Sequence, residues 1–209
     1  RRDPDAYAAA HLSGSLRDLV ASYQPRPPLA VGDVISDAAQ LRTDDMVTYG
    51  YFAHYNPTTG FGPQQALAQV GYEWSSWGEN IGKGYRTPAA MLLGFLGSDS
   101  GHRESVMGQG AIPQTFREIG VGHHSGSSTW TIILARPSNT EPALTGVVYD
   151  DQNNNNRMDL GEGIPGVSVS AGTATVQTNS GGGWSIPIGP GSHFAARKAR
   201  CTSSWRCDR

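Results

Sequence analysis

Hydrophobic residues recur at helical spacing over residues 13–100 and predict several short helices. The first helix is predicted by apolar residues three or four positions apart, namely Leu16, Leu19, Val20 and Tyr23. Asp33 can cap a second helix that runs to about Gly50, whose expected apolar side carries Val34, Ala38, Leu41 and Met46. Pro63 suits the first position of a short third helix, and Thr87 followed by proline predicts the start of a fourth, mostly buried one.

The pattern changes to alternation further along the chain. Two runs alternate apolar residues with other residues, the first with Ile119, Val121 and His123 and the second with Trp130, Ile132 and Leu134. Together they predict a β-hairpin whose turn lies at residues 124–127. Helices followed by strands, with connections too short for a series of βαβ units, indicate an α+β fold.

The remaining segments differ from this first domain. Residues 1–12 lack a clear burial pattern and are expected to form a loose arm or a frayed helix. Residues 138–143 have the polar, proline-containing composition of a linker. Residues 144–194 consist of short strand-like runs between Gly, Asn and Pro turns, which predicts a small all-β module. Residues 195–209 are basic and contain both cysteines, so we interpret them as an atypical tail, either a flexible extension or an artefact of a frameshift or truncation.

Composition and charge narrow the classes of function. Charged residues make up 16% of the 209 residues, below the roughly 25% of an average soluble protein, which favours an exported, loop-rich protein. The net charge of −2 provides no basic field for a nucleic acid. No run of 18 apolar residues is present, so no transmembrane segment is predicted. The chain begins with Arg rather than Met, so we expect either a processed product or an engineered fragment.

Three polar residues from separate segments are the first candidate site. His54, Glu79 and His102 each follow or lie in a short block rich in Gly, aromatic residues or Asn. His54 and His102 could bind Zn²⁺, with Glu79 as a third ligand or a general base. Alternatively, the Glu79 carboxylate could accept backbone N–H groups of a loop and have no chemical role. The sequence contains no HExxH motif, no GxSxG motif and, before the tail, no cysteine nucleophile.

Four motifs in order around these residues resemble the CAP superfamily of cysteine-rich secretory, antigen 5 and pathogenesis-related-like proteins, whose domain is also called SCP. The motifs are Phe52-x-His54-x-Asn56-Pro57, Gly78-Glu79-Asn80-Ile81, Ser100-Gly101-His102-Arg103 and Glu118-Ile119-Gly120-Val121-Gly122. The resemblance covers residues 13–137. It implies an α-β-α sandwich, secretion and a central cleft in which His54, Glu79 and His102 occupy the family's positions.

The sequence departs from that family at the cleft's second acid. Ser98 stands where eukaryotic members carry the acid, which weakens any hydrolytic mechanism. Glu118 either compensates or pairs with Arg103, and we expect the ion pair. The resemblance implies fold and location more firmly than activity, because members bind lipids or sterols, associate with cell walls or, occasionally, cleave proteins.

The second candidate site is a loop with the oxygen-ligand spacing of an EF-hand. Side-chain oxygens fall at loop positions 1, 3, 5, 9 and 12, which are Asp151, Asn153, Asn155, Asp159 and Glu162, and the Arg157 carbonyl would supply position 7. The alternative is a polar, Asn-rich loop that holds no ion. With its flanking Gly and Pro motifs, the segment resembles the calcium-binding Sdr-type B repeats of bacterial surface adhesins, which are related to Cna-B modules. That resemblance implies a truncated β-sandwich that Ca²⁺ stiffens into a spacer.

These observations lead to three functional hypotheses. The first is a secreted or cell-surface protein, without catalysis, whose cleft presents a site for a small lipid, peptide or cell-wall component. The second is a metal-assisted hydrolase with Zn²⁺ on His54 and His102 and with Glu79 activating water. The third is a lipid or sterol carrier that uses the apolar helix at residues 89–96 as a pocket wall, although such a stretch is usually plain core. The expected cofactors are Ca²⁺ and, in the second hypothesis, Zn²⁺. The sequence leaves the oligomeric state open.

Overall fold

The computed structural model describes residues 1–111, 113–138, 143–154, 158 and 161–188, together with the backbone of 201–202 and 206–207. The chain divides into two compact units, Arg1–Thr140 and Glu141–Arg209. Most of the proposed linker, residues 189–200 of the β module and tail, and three of the proposed calcium ligands lie outside the described residues. Within the described part of the chain, no helix is both long and apolar enough to cross a membrane.

Two helices of the first unit begin at a side-chain cap, whereas Asp33, the predicted cap of the second predicted helix, is itself the first helical residue after Gly32. The helices of this unit are α1 (Pro4–His11), α2 (Gly14–Ala21), α3 (Asp33–Thr48), α4 (Pro63–Gln69), α5 (Pro88–Gly97) and α6 (His102–Met107), with a short 3₁₀ turn at Pro113–Thr115. The Thr87 hydroxyl accepts the Ala90 N–H at 3.1 Å, which confirms the predicted start of α5. Asp3 caps α1 in the same way at 3.0 Å. Residues 4–11 therefore form a capped helix rather than a loose arm.

The sheet of the first unit has four strands in the order β1-β3-β4-β2. Their bounds are β1 (Ala30–Val31), β2 (Trp74–Lys83), β3 (Glu118–His124) and β4 (Thr129–Pro137). β1 is parallel to β3, and the other pairs are antiparallel. The β3–β4 register places Val121 opposite Ile132 and confirms the predicted hairpin.

Strand β4 lies at the centre of the unit and supplies both halves of its core. Ile133 and Ala135 pack with buried residues of α3 and α4, whereas Ile132 and Leu134 pack with residues of α5 on the opposite face. Successive side chains of a strand point to opposite faces, so the continuous apolar run of β4 covers two helical layers. The α+β fold class and the expected α-β-α layering are confirmed.

Helix α3 contacts β3 backbone to backbone. A Cβ on Gly120 or Gly122 would overlap the carbonyls of Ile35 and Ala39, respectively. The two glycines of the Gly-Val-Gly run are therefore required by close packing.

The apolar face of α3 was predicted correctly at Ala38 and Met46 and partly at Leu41, but wrongly at Val34. Val34 is 46% exposed, and the buried side of the helix carries Ile35, Ala38, Ala39, Arg42, Thr43 and Met46. Alanine is compatible with both the buried and the exposed side of a helix, so the alanines of α3 did not fix which side faces the core. Arg42 lies in the core rather than on the polar side.

The second unit is all β in its described part. It contains β5 (Ala143–Val147), β6 (Ser168–Ala171), β7 (Ala174–Gln177) and β8 (Gly183–Pro187). β5 pairs with β8 and β6 pairs with β7, both antiparallel, and Ile186 is fully buried. Two short strands in the tail, β9 (Cys201–Thr202) and β10 (Arg206–Cys207), also pair with each other.

Candidate functional site

Glu79 lies in the middle of strand β2 rather than in the loop expected from its Gly-rich motif. It pairs with Ile133 of β4, and its side chain is 1% exposed. Its Oε2 atom accepts a hydrogen bond from His54 Nδ1 at 2.7 Å, and the His54 ring is half exposed. The Glu79 carboxylate is therefore buried, and its partner His54 is the part of this pair that reaches solvent.

Arg42 of α3 is the second partner of Glu79. Its Nε donates to Glu79 Oε1 at 3.0 Å, and its side chain is fully buried. The remaining guanidinium nitrogens donate to the carbonyls of Ala53 and His54, both at 3.0 Å, and to the Tyr51 hydroxyl at 2.7 Å. Burial opposes the charge of Arg42, but Glu79 and Tyr51 outweigh it and raise the pKa of Arg42 above its usual value.

The same network fixes the loop that carries His54. Asp45 accepts hydrogen bonds from Tyr51 and, at 3.1 Å, from Asn56 Nδ2. The Asn56 Oδ1 atom in turn accepts the backbone N–H groups of Thr58 and Thr59 at 2.9 and 3.1 Å. Burial, followed by the hydrogen bond to Asp45, raises the pKa of Tyr51. His54 is therefore presented by a pre-organised loop.

His102 is the first residue of α6 and lies beside the predicted Ser98. Its Nδ1 is 2.9 Å from Ser98 Oγ, and its ring centroid is 5.2 Å from that of Phe95. Asn80 of β2 also donates to the His102 carbonyl at 3.4 Å. Burial, followed by the charge of His54, lowers the pKa of His102. The lowered pKa favours the neutral form of the His102 imidazole.

The geometry leaves Nε2 of each imidazole as the nitrogen that can meet a ligand. The two carboxylate oxygens of Glu79 are already directed at N–H donors of Arg42 and His54. In the part of the chain that the structure describes, no group of three or more His, Cys, Asp or Glu side chains could hold a metal ion. Zinc sites normally use three or four protein ligands, so a Zn²⁺ ion on His54 and His102 would need further ligands from water or a bound substrate.

Two expectations about Glu118 and Glu79 are wrong. Glu118 accepts a hydrogen bond from the Tyr72 hydroxyl at 2.9 Å, and burial, followed by the charge of Glu118, raises the pKa of Tyr72. Arg103 pairs with Glu104 at 3.3 Å instead of Glu118. The resolved partners of the Glu79 carboxylate are side chains, not the backbone groups of a loop.

Arg42 is the residue that sequence reasoning missed. It falls on the helical stripe of Ile35, Ala38, Ala39 and Met46, all buried. A charged residue on such a stripe signals a buried partner of opposite charge. Arg42 could be recognised in this way only if the buried side of α3 had been predicted correctly.

The calcium loop is described at positions 1, 3 and 12, which are Asp151, Asn153 and Glu162, whereas Asn155, Arg157 and Asp159 lie outside the described residues. Glu162 is 6% exposed, and its Oε1 accepts the Gln152 N–H at 3.1 Å. The loop ends are joined by a β-bridge between Tyr149 and Gly163 and by the Asp150 N–H donating to the Glu162 carbonyl at 2.8 Å. Position 12 is thereby held next to positions 1 and 2.

Comparison with known proteins finds partial similarity to the first unit. No family model matches the chain. The uncharacterized protein YkwD of Bacillus subtilis (strain 168) is 33% identical over 104 residues, which are 50% of this chain but 38% of YkwD.

Two solved structures are similar to about half of the chain. An extracellular protein containing an SCP domain from Bacillus anthracis is 29% identical, with a TM-score of 0.47, over 53% of this chain and 34% of that protein. An outer surface protein from Borrelia burgdorferi is 15% identical, with a TM-score of 0.46, over 54% of this chain and 80% of that protein. Because both TM-scores are below 0.5, the α+β assignment rests on the helices and sheet of this chain itself.

Proposed function

We propose that residues 13–137 form a CAP-like domain of an extracellular protein, and that the cleft of His54, Glu79 and His102 binds a ligand without catalysing a reaction. The observation that carries this proposal is the engagement of both carboxylate oxygens of Glu79, which accept N–H groups from Arg42 and His54. A carboxylate held in this way is not directed at a water molecule or a substrate proton. Four ordered sequence motifs support the CAP-like identity.

The histidines define what the cleft can recognise. His102, with its lowered pKa, is a neutral hydrogen-bonding group, and His54 is held by Glu79 with half of its ring exposed. Two imidazoles in a pre-organised site suit polar groups such as amides and hydroxyls, which are abundant in cell-wall peptides and glycans. We therefore propose a cell-wall component as the ligand class.

The test measures binding and turnover on the same material. The full chain is incubated with insoluble peptidoglycan, the bound fraction is measured by sedimentation, and soluble products and casein cleavage are assayed in parallel. We expect binding without product release, and at least a tenfold loss of affinity in a His54→Ala, His102→Ala variant. A His11→Ala, His124→Ala variant is the matched control. Turnover that the His54→Ala, His102→Ala variant abolishes would overturn the non-catalytic proposal. Unchanged peptidoglycan binding in that variant would show that the cleft is not the binding site.

The metal-assisted hydrolase is a second candidate that one observation favours. A metal-bound histidine commonly donates its other ring N–H to a carboxylate, and His54 donates Nδ1 to Glu79 in this way. His54 and His102 would hold Zn²⁺ through Nε2, and the ion would supply Lewis-acid activation of water. Calorimetric titration with Zn²⁺ tests this candidate. Stoichiometric micromolar binding that the double histidine variant loses supports it, and the absence of saturable binding rules it out.

The lipid or sterol carrier has less support than either. The α5 side chains Met91, Phe95 and Leu96 are at most 5% exposed and pack in the core of the first unit. They fill space that a lipid would have to occupy.

We also propose that the loop of residues 151–162 binds Ca²⁺ and stiffens the second unit as a spacer. The burial of Glu162 and its approach to position 2 support this proposal, since Ca²⁺ coordination requires loop positions 1 and 12 to converge. In differential scanning calorimetry, 1 mM Ca²⁺ should raise the melting temperature of this unit, and EDTA should reverse the rise. An Asp151→Ala, Glu162→Ala variant should lose the shift, whereas Asp150→Asn should retain it. Melting that is indifferent to EDTA would refute calcium binding.

A further inference from the structure

The first unit contains a second concave surface, which we call the α3–α4 groove. It lies between the C-terminal half of α3, one side of α4 and residues 59–61, and its volume is about 510 Å³. Ligand sites in proteins typically have volumes of 300–1,000 Å³. The residues that line the groove do not include His54, Glu79, Ser98 or His102, so it is separate from the cleft.

The groove has an aromatic surface. Tyr49 follows α3 and is 61% exposed, and Phe61 and Leu41 are half-buried beside it. The Phe61 ring lies 5.8 Å from the Arg42 guanidinium carbon, which helps to hold it in place. An exposed tyrosine provides a flat stacking surface with a polar tip and loses little conformational entropy on binding.

The polar wall of the groove consists of short hydroxyl, amide and carboxylate side chains. These are Asp44 and Thr48 from α3, Thr59 from the loop, and Gln65 and Gln69 from α4. Gln65 is oriented because its Oε1 accepts the Gly62 N–H at 3.1 Å, and Asp44 is oriented by Gln40 Nε2 at 2.8 Å. Donors and acceptors therefore surround one stacking surface, an arrangement that matches the hydroxyl and acetamido groups of a sugar.

Charge selects among the ligands that such a groove could accept. The described residues lining it include Asp44 and Asp45 but no Lys, Arg or His. Phosphate-bearing polymers and anionic membrane surfaces are therefore disfavoured. Proline-rich peptides dock on grooves built from several aromatic rings, whereas Tyr49 is the one strongly exposed ring among the described residues of this groove.

We propose that the α3–α4 groove binds a neutral glycan chain of N-acetylhexosamine units, with one sugar ring stacked on Tyr49 and its polar substituents bonded to Asp44, Gln65 and Gln69. The inference depends on the groove's own residues and stands whether or not the cleft binds a ligand.

The test is calorimetric titration of the full chain with tetra-N-acetylchitotetraose. We expect saturable binding that weakens at least tenfold in Tyr49→Ala and several-fold in Gln69→Ala, while Tyr49→Phe retains most of the affinity. Phe52→Ala is the matched control, because Phe52 is 44% exposed but outside the groove, and it should bind as the wild type does. Circular dichroism checks that each variant is folded.

Several results would overturn the proposal. They are the absence of saturable binding, equal affinity in the wild type and Tyr49→Ala, and a preference for a polyproline peptide or polyglycerol phosphate over the tetrasaccharide. The His54→Ala, His102→Ala variant separates this proposal from the cleft. Unchanged tetrasaccharide affinity in that variant supports binding at the α3–α4 groove, whereas a loss of affinity would show that the tetrasaccharide binds in the cleft.

Discussion

Glu79 and Glu162 are both buried carboxylates, but different parts of the chain hold them. Glu79 is bound by the side chains of Arg42 and His54, which are 37 and 25 positions away in sequence. Glu162 accepts a backbone N–H from Gln152, 10 positions away in the same loop. The first carboxylate completes a charge pair between a helix and a strand, and the second closes a short oxygen-rich loop. A buried acid is therefore not by itself evidence of a reactive or metal-binding group.

The largest expected difference between the two acids is in stability. Glu79→Gln removes the closer of two carboxylates that face the buried Arg42 guanidinium, leaves Asp45 at 3.5 Å, and should cost about 3 kcal/mol. Glu162→Gln keeps an acceptor for the Gln152 N–H, so the change at this hydrogen bond should contribute less than about 1.5 kcal/mol in calcium-free buffer. Urea unfolding in EDTA, followed through NMR amide signals of each unit separately, measures both values.

A double variant identifies the cause of the larger loss. Arg42→Met combined with Glu79→Leu removes both charges of this pair and leaves Asp45 bound by Tyr51 and Asn56, so it should be more stable than either single variant. Two results would contradict the charge-pair interpretation. One is an equal loss of unfolding free energy in Glu79→Gln and Glu162→Gln, and the other is strictly additive losses for Arg42→Met and Glu79→Leu.

Substitutions of the residues that donate to the two acids should show a smaller difference in stability. His54→Ala removes a side-chain donor to a charged group and should destabilise the first unit by about 1–2 kcal/mol, since half of the ring is exposed. Gln152→Ala leaves its backbone N–H in place and should change stability by less than about 0.5 kcal/mol. The same urea experiment applies, and a Gln152→Ala cost that matched that of His54→Ala would show that the Gln152 side chain has a stabilising role.

The smallest expected effect is on the pH dependence of stability. Burial and the charge of His54 lower the pKa of His102 in the folded state. In the unfolded chain the pKa of this imidazole is about 6.5, so His102 takes up a proton there first as the pH falls. The contribution of His102 is complete above pH 6.5 and is lost as the pH decreases towards the folded-state pKa, by at most about 1.4 kcal/mol per pH unit. Thermal melts of the first unit in EDTA between pH 7.5 and 5 should show a shallower decline for His102→Gln. A decline as steep as that of the wild type would refute the shift.

The fold was largely predictable because its signals are local. The proline and hydroxyl at Thr87-Pro88 placed α5, and the alternation around Val121 and Ile132 placed the β3–β4 hairpin. These features depend on caps and periodicity within a few residues. The α+β class followed from their order along the chain.

The structure pairs His54 with Glu79 and Ser98 with His102, but the sequence did not predict how the Glu79 carboxylate is held. Ser98 and His102 are four positions apart, and the structure brings them together. The pairing of Arg42 with Glu79 joins a helix to a strand across the core, and no local pattern specifies such a contact. The apolar phase of α3 would have revealed Arg42, but its alanines made that phase ambiguous.

The close approach of α3 to β3 limits how this domain can be redesigned. A common way to stabilise a strand is to replace glycine with a residue of higher β propensity. At Gly120 and Gly122 this route is closed, because any added side chain would overlap the carbonyls of Ile35 and Ala39. Directed evolution for higher thermal stability should therefore leave both glycines unchanged and accumulate its substitutions at exposed positions such as Val121, which is 41% exposed.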